Sequence, residues 1–189
     1  MLKDLVLRNR SYRRFYQSES ISETQLRDWI DLARNSASAR NAQSLKYVLS
    51  FDESLNAQIF GQLSWAGYLT NWNGPEEGER PSAYIVMLND TSISGNYFCD
   101  DGIAIQSILL GAVEAGFGGC IIHSVNRNKL REIVNLPEQF EILHVIALGK
   151  PKETVTLDEM KAGDIKYWRD ENQIHHVPKR PLDEIILEL

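Results

Sequence analysis

Residues Ala83 to Leu88 read Ala-Tyr-Ile-Val-Met-Leu, an apolar run with no polar interruption. A strand that is apolar on both faces needs a covering layer on each side, so this run predicts a central strand rather than a surface one. Such a strand needs other elements to cover it, and the rest of the sequence offers helices. Asp101 to Ala115 carries Ile103, Ala104, Ile108, Leu109 and Ala112 among few charges. It predicts a helix buried nearly all round, stopped by Gly116, Gly118 and Gly119. Ser22 and Gln25 form an S-x-x-Q capping box, with Ile21 and Leu26 at the staple positions. Leu26, Trp29, Ile30 and Ala33 then recur on one helical face.

Shorter helices are expected at 2–9, 53–63 and 127–135, and further strands at 46–51, 120–122 and 140–148. From Trp65 to Arg80, aromatic residues mix with Asn71, Asn73, Gly74, Pro75 and Gly78, which reads as an irregular excursion or lid. After Pro151 the chain reads as polar and irregular until Pro181, and residues 182–189 turn apolar again. With no internal repeat and no linker, the order of elements gives a single α+β domain over residues 1–189.

Charge narrows the function. Lys and Arg number 20 against 26 Asp and Glu, a net charge of -6, which argues against a general nucleic-acid binder. The start of the chain lacks the apolar run of a signal peptide, and no stretch reaches the ~18 uncharged apolar residues of a membrane span. A soluble, cytoplasmic protein is expected. Cys99 and Cys120 lack metal-ligand spacing, so both read as packing residues and no metal site is expected. His175 and His176 read as solvated residues of the polar tail.

Three polar clusters sit at element junctions. Arg8 to Phe15 is either an exposed basic turn or a grip for a small anion, because paired arginine hydrogen bonds suit phosphate. Ser38 to Gln43 is either a turn or a loop whose side-chain amides match the edge of a heteroaromatic ring. Lys179-Arg180-Pro181 alone is a solvated basic pair.

In this order the clusters resemble the nitroreductase family. Its members open with R-R-S-x-R-x-F, to which Asn9 to Phe15 is similar, and continue with P-S-x-x-N-x-Q-P-W, to which Ala37 to Leu45 is similar. Asp100 to Gln106 resembles the family's D-x-G-I-A-x-Q helix start, Gly116 to Cys120 its G-L-G-x-C turn, and Lys179 to Leu182 its closing basic pair before P-L. Asn9 stands where arginine is usual, and Ser44-Leu45 where Pro-Trp is usual.

The resemblance implies a central mixed sheet flanked by helices, with the C-terminal strand exchanged in a homodimer. It implies FMN as cofactor and NADH or NADPH as donor. Arg10 and Ser11, with Arg8 alongside and either Lys179 or Arg180, would hold the phosphate, and Arg13 would lie near the pyrimidine edge of the flavin. Ser38, Asn41 and Gln43 would touch the ring from the neighbouring subunit, and the main chain of Ile122, His123 and Ser124 would meet flavin N5. No side chain is implied as catalytic, since the cofactor performs the redox step. Trp72, with Trp65 and Tyr68 nearby, is the candidate wall of the acceptor pocket. The implied activity is ping-pong transfer of electrons to nitroaromatics, quinones or free flavins. A reductive dehalogenase or dehydrogenase on the same fold, and a flavin storage or sensor protein without turnover, are the alternatives.

Overall fold

The computed structural model describes residues 1–187. The apolar run opens strand β3 (Ala83–Asp90), every residue of which is buried. Strand β3 lies between β2 (Leu45–Ser50) and β5 (Phe140–Pro151), antiparallel to both. Strand β5 continues past the expected Leu148 and pairs with β4 (Gly118–Ile122) on its other side and with β1 (Phe15–Tyr16) at its end. A parallel bridge between Ser11 and Gly119 makes this sheet mixed at the outer edge of β4.

Alternation along β3 divides the interior in two. Ala83, Ile85 and Met87 join Leu26, Trp29, Ile108 and Leu109 on one side of the sheet. There helices α1 (Leu2–Arg8), α2 (Glu23–Arg34) and α4 (Asp100–Glu114) pack together. Tyr84, Val86 and Leu88 join Ile59 and Leu130 on the other side, under α3 (Glu53–Phe60) and α5 (Arg127–Ile133). Each large apolar side chain so buried stabilises the fold by roughly 1.5–3 kcal/mol, and β3 supplies both layers. The α2–α4 contact depends on Gly111, where a Cβ would meet Leu32 Cδ1 at 2.5 Å and Trp29 Cδ1 at 3.1 Å.

The capping box of α2 forms as expected: Ser22 Oγ accepts from Gln25 N at 3.3 Å, and Gln25 Oε1 accepts from Ser22 N at 3.0 Å. Helix α4 is buried on its sheet side but leaves Gly102, Ile103 and Gln106 exposed, because no element among the described residues covers that stripe. The segment between α3 and β3 is irregular, as expected.

The stretch after Pro151 departs from the expected irregular tail. Strands β6 (Val155–Glu159), β7 (Trp168–Arg169) and β8 (His175–Lys179) form a second, three-stranded sheet, with β6 and β8 parallel and β7 antiparallel to β8. These strands are short and interspersed with charge, and a two-residue strand has no period to read. As a result His175 is fully buried rather than solvated. His176 is held between Asp158 at 2.9 Å and Asp170 at 3.5 Å and stacks on Trp168. Cys120 packs in the interior as expected, whereas Cys99 is exposed just ahead of α4. After a single turn at Leu182–Glu184, the apolar residues Leu182, Ile185, Ile186 and Leu187 are all exposed; Leu189 of the same apolar tail lies outside the described residues. Among the described residues no helix is long and apolar enough to cross a membrane.

Candidate functional site

Strand β4 is an edge strand, paired with β5 on one side and bridged on the other at Gly119 alone. Gly119 sits so close to its neighbours that a Cβ would meet Ala147 O at 2.6 Å and Leu109 Cδ2 at 2.9 Å. Two cavities run along this strand, of about 340 Å³ and 220 Å³. Arg13, Ile121 and Tyr167 line both, so the two form one groove. Among the described residues Arg10, Arg13 and Lys179 line it, and no carboxylate does. Three cations without an acid in a partly enclosed space make a positive potential that favours an anion.

Each cation is held differently. Arg10 Nη2 donates to Val6 O at 2.7 Å, while its buried Nε has no partner. Arg13 is buried; its Nη1 donates to Ser11 O at 3.1 Å and to His175 Nε2 at 3.2 Å, and its guanidinium lies 4.9 Å from the Tyr167 ring centre. The main chain beneath is fixed by Glu153, which accepts from the N–H groups of Arg13 and Arg14 and pairs with Arg169 at 3.0 Å. Glu153 is thereby matched with Arg169, which leaves Arg13 without an ion pair among the described residues. Lys179 lines the groove, whereas Arg180 pairs with Glu184 at 3.0 Å and lines no part of it. Arg8 likewise turns away, to Asp4 at 3.0 Å. Of the two alternatives in the closing basic pair, the fold brings Lys179 to Arg10 and Ser11.

His175 faces this cation cluster. Burial first, then the charges of Arg13 and Arg169, push its pKa down to about 4, so it is neutral at physiological pH and accepts the Arg13 N–H. Its Nδ1 has no partner; the same holds for Trp65 Nε1, which belongs to the other end of the groove. Native interiors rarely leave such groups unmatched.

At that other end stand Ile122, His123, Ser124 and Trp65. Ser124 O accepts from Ser64 N at 2.9 Å, tying the end of β4 to the irregular segment. His123 Nδ1 is 3.4 Å from His144 Nδ1 and 3.4 Å from Arg127 Nη2, and His144 Nε2 is 3.0 Å from Asp101 Oδ2. Trp72 is half-buried and outside the lining: it stands edge-on to Trp65, ring centres 6.5 Å apart, with the Arg169 guanidinium 4.2 Å from its own ring centre. Trp65 is therefore the tryptophan of the groove wall, with Trp72 behind it. Tyr68 packs on Tyr167 at 4.9 Å.

Ser38, Asn41 and Gln43 are not brought to the groove within one chain; Ser38 and Gln43 line a separate cavity with Asp100. Their loop places Arg40, Asn41 and Gln43 at φ of 56°, 53° and 53°, a left-handed conformation uncommon outside glycine and asparagine. The buried Asp100 anchors the start of this loop, accepting from Ser38 Oγ at 2.6 Å and Ala39 N at 2.8 Å. Sequence reasoning missed Ile121, Tyr167, His175 and Val177 in the groove. The alternation of His175 and Val177 around the polar His176 was the one available signal for β8.

Residues 89–150 match the sequence model of the Nitroreductase family. A solved nitroreductase family protein from Clostridium novyi is 24% identical, with 80% of this chain and 87% of that one covered at a TM-score of 0.67. One from Streptococcus pneumoniae covers 100% of both chains at 16% identity and a TM-score of 0.70. NADPH:FMN oxidoreductase from Vibrio harveyi, solved in complex with NAD+, is 22% identical over 80% of this chain and 69% of its own, with a TM-score of 0.62. No curated protein matches the chain. The resemblance to the nitroreductase family is borne out, and the fold is that of these structures.

Proposed function

We propose that the chain is an FMN-dependent oxidoreductase that passes electrons from NADH or NADPH to small acceptors, namely nitroaromatics, quinones or flavins, as a cytoplasmic homodimer with ping-pong turnover. The observation that carries this reading is the groove along β4, with Arg10, Arg13 and Lys179 lining it and no acid. The unmatched buried nitrogens of Arg10, His175 and Trp65 fit a polar ligand there. The NADPH:FMN oxidoreductase from Vibrio harveyi lends support for the cofactor and the donor.

In this reading Arg10, Ser11 and Lys179 hold the phosphate, in charge-assisted hydrogen bonds of roughly 1.5–3 kcal/mol each. When bound, FMN supplies the electron-transfer chemistry at its ring. Arg13, fixed by Ser11 and His175, keeps a cation beside that ring and favours its negatively charged form. The main chain of Ile122, His123 and Ser124 serves the ring edge, and Trp65 shapes the space left for donor and acceptor in turn. The exposed apolar tail at Leu182, Ile185, Ile186 and Leu187 and the unpaired outer edge of β2 support exchange of a C-terminal strand between protomers. The Ser38, Asn41 and Gln43 loop, which does not line its own groove, would then serve the neighbouring flavin.

Anaerobic spectroscopy tests this. Bound flavin should bleach on addition of NADH or NADPH and recover its colour with nitrofurazone or menadione. Protein that stays yellow with both donors contradicts the enzymatic reading.

A further inference from the structure

A separate cavity of about 490 Å³ opens between the turn after β1, helix α3 and the segment entering β3. It shares no lining residue with the groove, although Phe60 on its wall packs against Trp65 of the groove, ring centres 5.8 Å apart. Its volume falls within the roughly 300–1,000 Å³ of small-molecule sites.

Among the described residues, three polar groups there lack partners. Tyr84 lines the cavity, is fully buried, and its hydroxyl meets no hydrogen-bonding group; Arg80 Nε and Ser82 Oγ are also buried and unmatched. Burial pushes the Tyr84 pKa up, so the hydroxyl keeps its proton and can donate. The Arg80 guanidinium lies over the Phe60 ring at 4.4 Å and makes no ion pair among the described residues. Glu53 and Glu77 also line the cavity, but both are exposed and neither pairs with Arg80. Of the other polar side chains, Ser18 and Ser20 are exposed, Gln17 Oε1 accepts from Gly78 N and Arg80 N, and the Asn56 amide bridges Ser50 Oγ and Ser82 O. What the described residues do not supply is a group that accepts N–H from Arg80 Nε and O–H from Tyr84. A carboxylate does so, and Phe51, Phe60 and Pro81 offer a flat apolar surface beside it.

We propose that this cavity binds a small aromatic carboxylate, its carboxylate on Arg80 and Tyr84 and its ring against Phe60. The site is independent of the flavin reading. Calorimetric titration of the full chain as purified, flavin content recorded, tests it with benzoate as probe and benzamide as the neutral counterpart. Benzoate should bind saturably and benzamide should not. Arg80→Gln should weaken benzoate at least about tenfold, as loss of a charge-assisted contact implies. Tyr84→Phe should weaken it several-fold while melting at or above the parent temperature, since it removes only an unmatched hydroxyl; this second variant carries the test should Arg80→Gln fail to fold. Lys179→Ala, in the other cavity, should leave benzoate affinity unchanged. Absence of saturable binding, equal binding of benzamide, or an affinity that follows Lys179 rather than Arg80 overturns the proposal.

Discussion

His175 makes the fold sensitive to acid, and the size of the effect follows from its surroundings. Its pKa falls from an ordinary 6.5 to about 4 in the folded chain, because burial and the charges of Arg13 and Arg169 disfavour the imidazolium. Between those two values the unfolded chain binds a proton that the folded chain refuses. Stability from this group is therefore fully present above pH 6.5 and is lost progressively as the pH falls toward 4. From pH 8 to pH 5 the loss comes to about 2 kcal/mol. In a chain of this length that lowers the melting temperature by roughly 4–8 °C. Thermal unfolding followed by circular dichroism at pH 8 and pH 5 measures it, on flavin-stripped protein, because a bound anion in the groove would change the charge around Arg13 and His175. His175→Gln keeps an acceptor for Arg13 but does not titrate, so its acid shift should be smaller than the parent's by that amount. Equal shifts in parent and variant would refute the assignment of acid sensitivity to His175.

Asp100→Ala frees Ser38 and Ala39 and should destabilise the chain by about 1–3 kcal/mol in urea unfolding; an unchanged midpoint would mean that the strained loop holds itself. Deletion of residues 182–189 should convert a dimer to a monomer in sedimentation and remove FMN together with it, whereas a truncated monomer with stoichiometric FMN would overturn the shared site.

The sequence made the two main layers legible because their signals are periodic and long. Ala83 to Leu88 could be read as a central strand because it is apolar on both faces, and α2 because its capping box and apolar face agree. The groove was legible where a motif marks it: Arg10, Ser11, Arg13, Ile122, His123, Ser124 and Lys179 could be named from the sequence, but not the contacts that hold them. His175 comes from the second sheet, whose strands are too short to show a period, and Glu153 and Tyr167 from the loops that lead into β6 and β7; what they touch depends on partners far away in sequence. Trp72 was chosen from a cluster of aromatics whose composition does not reveal which ring faces the groove; packing puts Trp65 in front. Asp100 belonged to a recognised helix start, yet its hold on the Ser38 loop is a tertiary contact that spacing cannot show.

The central claim, that the groove along β4 holds FMN by its phosphate, is tested most directly by measuring FMN affinity through flavin fluorescence in Arg10→Ala, Lys179→Ala and Arg180→Ala. Arg10 and Lys179 line the groove and Arg180 pairs with Glu184 outside it. The first two variants should each bind FMN at least about tenfold more weakly, the worth of a charge-assisted phosphate contact, and Arg180→Ala should bind like the parent. Parent-like affinity in Arg10→Ala and Lys179→Ala, or a loss confined to Arg180→Ala, would contradict the account.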